Sequence, residues 1–181
     1  MKLFAVYLGG KADRCNIELH DVVFVVGETI EATYPQLAKK WFGDVNRFHI
    51  DSYWELQQIE GYKITLTKEK TKSDKKLYFI NLGAYKPNKF TEYHECAFYV
   101  SDDAPDAIRK AKSELCQGLT TIHKDDVIAL EEFDVDDVLE LGKVEDYYVS
   151  LSYTAQFDNP LPISKYIKLD FQNGGVSFGN A

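Results

Sequence analysis

The chain has 181 residues, is 45% hydrophobic and 14% aromatic, and carries a net charge of −8. That length suits one domain or two small ones with a real core, burying about 70% of the surface the unfolded chain exposes. The acidity argues against nucleic acid as a partner, since its binders present a basic face. No apolar run approaches the roughly 18 residues of a membrane span.

The first apolar run, Leu3 to Leu8, is β-branched and aromatic enough for a strand. Met1-Lys2 leads directly into it, which reads as the absence of a signal peptide. Gly9-Gly10-Lys11 comes next; GxxxxGK[ST] and GxGxxG are both absent, so it reads as a tight turn rather than a phosphate loop. After about ten irregular residues a second strand is predicted over Val22 to Val26. Neither run alternates cleanly, which predicts strands covered on both faces. Tyr34, Leu37, Ala38 and Trp41 then trace a helical stripe before Gly43. Pro35 would remove a hydrogen bond inside that helix, so the helix is expected to begin late, near Thr33, or to kink. His49 and Asp51 come after it. Tyr53 to Ile59 reads as strand, against a short-helix alternative supported by the capping-box spacing of Ser52 and Glu55. Glu60-Gly61 reads as a hairpin turn into Tyr62 to Lys68. The basic run Lys68 to Lys76, broken by Glu69 and Asp74, reads as a solvated connector.

The same order then begins again. Residues 2–56 align on residues 76–130 without a gap, with 11 identities in 55 positions. All four histidines fall into register, His20 on His94 and His49 on His123, each pair 74 positions apart. Asp51 coincides with Asp125 and Glu18 with Glu92. A fixed internal period decides the architecture before any other signal. The second copy predicts strands over Leu77 to Leu82 and Cys96 to Val100, with Gly83 after the first. Its helix has Asp103 to cap it, Pro105 and Asp106 in the first turn, and a stripe of Ala104, Ile108, Ala111 and Leu115, with Gly118 placed to end it. Residues 127–133 carry the same strand-or-helix alternative as 53–59.

The tail adds a strand over Tyr147 to Tyr153 and a breaker at Asn159-Pro160-Leu161-Pro162. Tyr166 to Phe171, Asn173-Gly174 and Val176 to Phe178 read as a type I′ hairpin. The expected fold class is therefore α+β. It consists of two tandem pseudo-symmetric β-β-α-β(-β) repeats, residues 1–70 and 75–141, and a β-rich extension over 142–181 packed on them as one compact unit.

Topology then places the histidines. A helix packed on its sheet must return the chain to the end where the second strand began, because connections are short and do not thread. His20 starts strand two, and His49 starts the segment after the helix. These two, with Asp51, Glu18 and the glycine loop, are expected on one rim. His94, His123, Asp125 and Glu92 are expected on the matching rim of the second copy. Two histidines and one carboxylate with open positions suit a divalent ion such as iron or zinc. That makes His20, His49, Asp51, His94, His123 and Asp125 the candidate metal ligands. The competing reading is structural: a His can bond a loop carbonyl and an Asp can cap a turn, and duplication keeps such brackets as readily as ligands. Cys15 lies near His20 and has the chemistry of a thiolate nucleophile, but Lys89 replaces it in the second copy. Trp41 and Trp54 read as packing residues. Three cysteines without CxxC spacing predict a reduced, cytoplasmic protein.

The strings KLFAVYLGG, NIELHDVVFVVGETIEATYP and WFG followed by HIDSY resemble a bacterial family, domain of unknown function 1543. The resemblance is close over 1–66 and looser over 76–140, where HECAFYV and HKDDV keep the histidines, an acidic neighbour and the strand pattern. It implies one or two copies of the domain per chain and carries over no functional residue. The second copy departs at Gly10, Cys15, Tyr34 and Trp41. With no catalytic motif present, the expected function is a small-ligand or regulatory binding module. The alternatives are a metal-dependent enzyme using the His/His/Asp set, and a protein adaptor working through a strand edge. The partners left are a small molecule or a second copy of the chain, not nucleic acid or membrane.

Overall fold

The computed structural model describes residues 1–119, 121–122, 138–155, 160–169 and 171. In chain order they form β1 (Lys2–Gly10), β2 (Leu19–Gly27), a 3-10 turn (Glu31–Thr33), α1 (Tyr34–Lys40) and β3 (Phe48–Glu55). Next come β4 (Gln58–Ile59), β5 (Tyr62–Thr67), β6 (Lys76–Tyr85), β7 (Tyr93–Ser101) and α2 (Ala104–Glu114). The last are β8 (Thr121–Ile122), β9 (Val138–Glu140), β10 (Lys143–Val144), β11 (Tyr147–Tyr153) and β12 (Ile163–Lys168). The fold is α+β with two repeats of one domain. No helix among the described residues is long and apolar enough to cross a membrane.

The described residues fall into two compact units. The first holds 1–57, 144–147 and those from 160 onward; the second holds 58–119, 121–122, 138–143 and 148–155. In the first, β1 pairs antiparallel with β2 and with β3, and β12 adds an edge to β3. Phe4, Val6 and Leu8 of β1 and Val23 and Val25 of β2 turn one face toward α1. There they bury Leu37, Tyr34 and Trp41, joined by Phe48, Ile50, Ile167 and Leu169. As expected, α1 begins late, with Pro35 in its first turn, where the missing N–H costs nothing. The Gln36 side chain fixes it to β2, accepting from the Val26 N–H at 3.1 Å and donating to the Val26 carbonyl at 2.7 Å.

In the second unit β6 takes the place of β1, pairing with β7, β8 and β9. Its core repeats the first at the same spacing: Phe4, Val6, Leu8, Leu37 and Trp41 correspond to Tyr78, Ile80, Leu82, Ala111 and Leu115. Asp103 caps α2, its side chain accepting from the Asp106 N–H at 2.8 Å, and Pro105 lies in the first turn. Burial pushes the Tyr34 and Tyr78 hydroxyls up to about 12 and the Tyr99 hydroxyl higher still, with acidic neighbours adding to each. The Glu60-Gly61 hairpin joins β4 to β5 with both residues at positive φ (46° and 80°), and β5 pairs with β11.

Four expectations are corrected. Gly9 and Gly10 do not form a turn after β1 but lie within it, and Gly83 lies within β6. The glycines serve tertiary contacts: a Cβ on Gly10 would sit 2.8 Å from both Trp41 Cζ2 and Phe48 Cβ. The second strand of each repeat is longer than its apolar run, starting at Leu19 and at Tyr93, because the polar residues before the run stay on the ladder. Helix α2 stops at Glu114 rather than at Gly118; Leu115 turns extended and Cys116 takes φ +56°. Tyr53 to Ile59 is not one strand, since β3 ends at Glu55 and β4 begins at Gln58. Residues 127–133 and the predicted turn and strand at Asn173-Gly174 and Val176 to Phe178 lie outside the described residues.

Candidate functional site

Gly9 stands opposite His20 on β2 and opposite His49 on β3. Directly paired residues of neighbouring strands share a face, so two imidazoles flank a residue that has no side chain. This face is the one turned away from α1. Its far half is apolar and buried through Leu3, Ala5, Phe24 and Val26, and it becomes polar at Tyr7.

A register shift supplies the third group. Leu8 pairs with Ile50 and Tyr7 with Ser52, so Asp51 is an extra residue of β3 with no partner on β1. The β12 ladder also slips there, between Ser164 and Ile167. Bulges of this kind re-aim a side chain, and here the Asp51 carboxylate lies over Gly9. A Cβ on Gly9 would be 2.7 Å from Asp51 Oδ2, 2.7 Å from His49 Nε2 and 3.2 Å from His20 Cδ2. Only glycine lets the three meet.

Asp51 bridges the two imidazoles. Its Oδ1 is 3.1 Å from His49 Nε2 and its Oδ2 is 3.4 Å from His20 Nε2. Glu18, just before β2, reaches the same His49 nitrogen at 3.2 Å. Asp51 Oδ2 is buried and makes no hydrogen bond. Tyrosines lie against both imidazoles: Tyr7 stacks on His20, centroids 5.1 Å apart and planes within 6°, and Tyr166 of β12 lies 4.3 Å from His49. His49 is 8% exposed, whereas Tyr7 and Tyr166 are 39% and 47% exposed. Among the described residues no lysine or arginine pairs with Glu18 or Asp51; Lys168, opposite His49 on β12, does not. Nor is any group of three or more His, Cys, Asp or Glu side chains among them placed to hold a metal ion as they stand.

The described part of the second rim holds the counterparts of Gly9, His20 and Glu18. Gly83 stands opposite His94, and Glu92 reaches His94 Nε2 at 3.5 Å. Asn81 takes the place of Tyr7 and lies 3.4 Å from His94 Nδ1. A Cβ on Gly83 would meet Glu92 Oε1 at 2.5 Å but His94 Cε1 only at 3.6 Å. His123 and Asp125 lie outside the described residues. Cys15 Sγ accepts from the Ala12 N–H at 3.2 Å. Trp41 packs in the core, and the Trp54 indole N–H donates to the Pro160 carbonyl.

The model of a family described as Domain of Unknown Function (DUF1543) matches residues 15–66 and again 89–141, together more than half of the chain. The chain belongs to this family. In this two-copy DUF1543 protein the first match spans Glu18, His20, His49 and Asp51, and the second spans Glu92, His94, His123 and Asp125. It is similar to a protein Il1583 from Idiomarina loihiensis, whose crystal structure agrees with a TM-score of 0.68 at 36% identity. That match covers 91% of this chain and 94% of the other. No curated protein matches this chain.

Sequence reasoning misses the aromatic walls. Tyr7 has a usable signal, since it lies two residues before Gly9 and so on the same face of β1. Tyr166 has none, because β12 reaches β3 across more than a hundred residues.

Proposed function

We propose that this protein is a small-ligand binding module, and that its first-repeat rim, built on Gly9, His20, His49, Asp51 and Glu18, is the binding site. The observation that carries this reading is the empty Cβ position of Gly9, into which side chains from β2 and β3 converge. A structural bracket needs one hydrogen bond. This one brings two imidazoles and two carboxylates to one place, beside two half-exposed aromatic rings.

The test monitors the histidine side chains by nitrogen–proton NMR while a panel of small amines, amides, carboxylates, phosphates and divalent metal ions is added. Saturable shifts of His20 and His49, absent in Gly9→Ala, are expected from at least one class. A panel that moves neither imidazole overturns the reading.

A second reading, a metal-dependent enzyme using His20, His49 and Asp51, draws on the fact that both Nε2 atoms face one carboxylate. It requires small rotations to bring three donors to about 2.0–2.2 Å from one ion. Elemental analysis of the purified parent and of His49→Ala separates the two, because the enzyme reading needs metal in the first and none in the second.

A further inference from the structure

Resting on the binding reading above, we infer that the ligand of the first rim is an organic cation rich in N–H donors, an alkylammonium or guanidinium. Acceptors at this rim outnumber the donors that meet them. A carboxylate accepts about four hydrogen bonds, and two carboxylates meet here. Their only side-chain nitrogen neighbours among the described residues are His20 and His49, each through a single nitrogen. His49 Nε2 is shared, lying within 3.2 Å of both Asp51 Oδ1 and Glu18 Oε1. One N–H therefore stands where a head group with several would satisfy both oxygens. Because both oxygens crowd the same nitrogen, a single ammonium or guanidinium reaches the pair.

Three further features select the class. The Tyr7 and Tyr166 rings keep open area beside the carboxylates, and an aromatic face attracts a cation within about 6 Å of its centroid. The chain's net charge of −8 draws cations and repels anions. The donors present do not share a point at metal-ligand distance, whereas N–H···O contacts near 2.7–2.9 Å tolerate a wider ring of acceptors. Asp51 Oδ2 is covered over Gly9, so Asp51 Oδ1 and Glu18 are the accessible acceptors.

The experiment titrates the full chain separately with agmatine, tetramethylammonium chloride and zinc chloride, reading the His20, His49 and His94 side-chain resonances. Agmatine is expected to shift His20 and His49 saturably and leave His94 in place. Asp51→Asn and Glu18→Gln each lose one charged acceptor at nearly constant shape and should weaken agmatine about tenfold or more. Glu18 is exposed and precedes β2, so its variant keeps the fold even where the other does not. Tetramethylammonium, which has the charge but no N–H, should bind at least about tenfold more weakly than agmatine. One equivalent of zinc shifting both imidazoles while agmatine shifts neither overturns this inference but leaves the binding site standing. Neutral or anionic compounds of the wider panel acting alone would do the same. If no compound moves either imidazole, the site reading falls and this inference with it.

Discussion

Gly9→Ala is the sharpest perturbation available, because glycine at this position serves geometry alone. Gly9 lies in a regular antiparallel ladder, so alanine meets no backbone strain and removes the entropy penalty of glycine in a strand, a gain of about 0.5–1 kcal/mol. Against this stands overpacking. The new methyl would sit 2.7 Å from Asp51 Oδ2 and from His49 Nε2, and 3.2 Å from the ring carbon His20 Cδ2. Displacing crowded groups costs about 1–3 kcal/mol, and separating the partly exposed Asp51 pairs adds little. The expected net destabilisation is about 1–2 kcal/mol, a fall in Tm of about 2–8 °C for a chain of this length. Gly83→Ala is the internal control. Its only close contact is the end of the half-buried Glu92 side chain, which can swing aside at a small cost, and the same glycine gain of about 0.5–1 kcal/mol applies, so stability should be unchanged or rise by up to about 1 kcal/mol. Urea unfolding at constant m-value measures both, and histidine side-chain NMR shows whether His20 and His49 have moved. Equal losses from the two variants, or unshifted His20 and His49 in Gly9→Ala, would refute the convergence argued for the rim.

Three other outcomes are expected from the fold. Asp103→Ala removes the cap of α2 and should cost about 1 kcal/mol, read from the urea midpoint, with no change at His20 or His49. Alkylation should modify exposed Cys96 first and Cys116 last, because burial, helped by the Glu95 charge, pushes the Cys116 thiol up and hides it; mass spectrometry of a time course gives the order. Tyr34, Tyr78 and Tyr99 hold their protons above the ordinary tyrosine range when folded, so unfolding makes them stronger acids. Their contribution is complete below about pH 10 and declines as pH rises toward 12; a urea midpoint that is the same at about pH 9 and pH 11 would contradict it.

The parts of this fold legible in the sequence are those set by neighbours along the chain. Asp103 with Pro105 announces α2, Pro35 marks where α1 can begin, and Glu60-Gly61 needs only its own φ values to make a hairpin. The convergence of His20 and His49 was legible too, because it stems from chain direction and not from side-chain detail. The features that stayed hidden depend on contacts between distant residues. Gly9-Gly10 looks like any turn until Asp51, His49 and Trp41 are seen to need the space. The bulge at Asp51 leaves no mark in composition or period, since it is a slip between two ladders. The pairing of β5 with β11 joins segments some eighty residues apart, and neither strand carries a signal that names its partner.

Comparison of the two rims separates the requirements of the fold from those of the site. Among the described residues the elements common to both are Gly9 and Gly83, His20 and His94, Glu18 and Glu92, all on the first two strands of each repeat or just before the second. Were they only brackets, both copies would need them equally and would surround them alike. The cores do keep such equivalence, apolar residue for apolar residue, from Phe4 and Tyr78 to Trp41 and Leu115. The rims do not. Asn81 replaces the aromatic wall of Tyr7, and His94 turns one nitrogen to Asn81 and the other to Glu92. The surroundings of His20 and His94 have thus diverged while the packing beneath them has been held. Side chains kept for stability alone give no reason for that difference among the described residues; the ligand proposed for the first rim, contacted there and not in the same way at the second, would supply one.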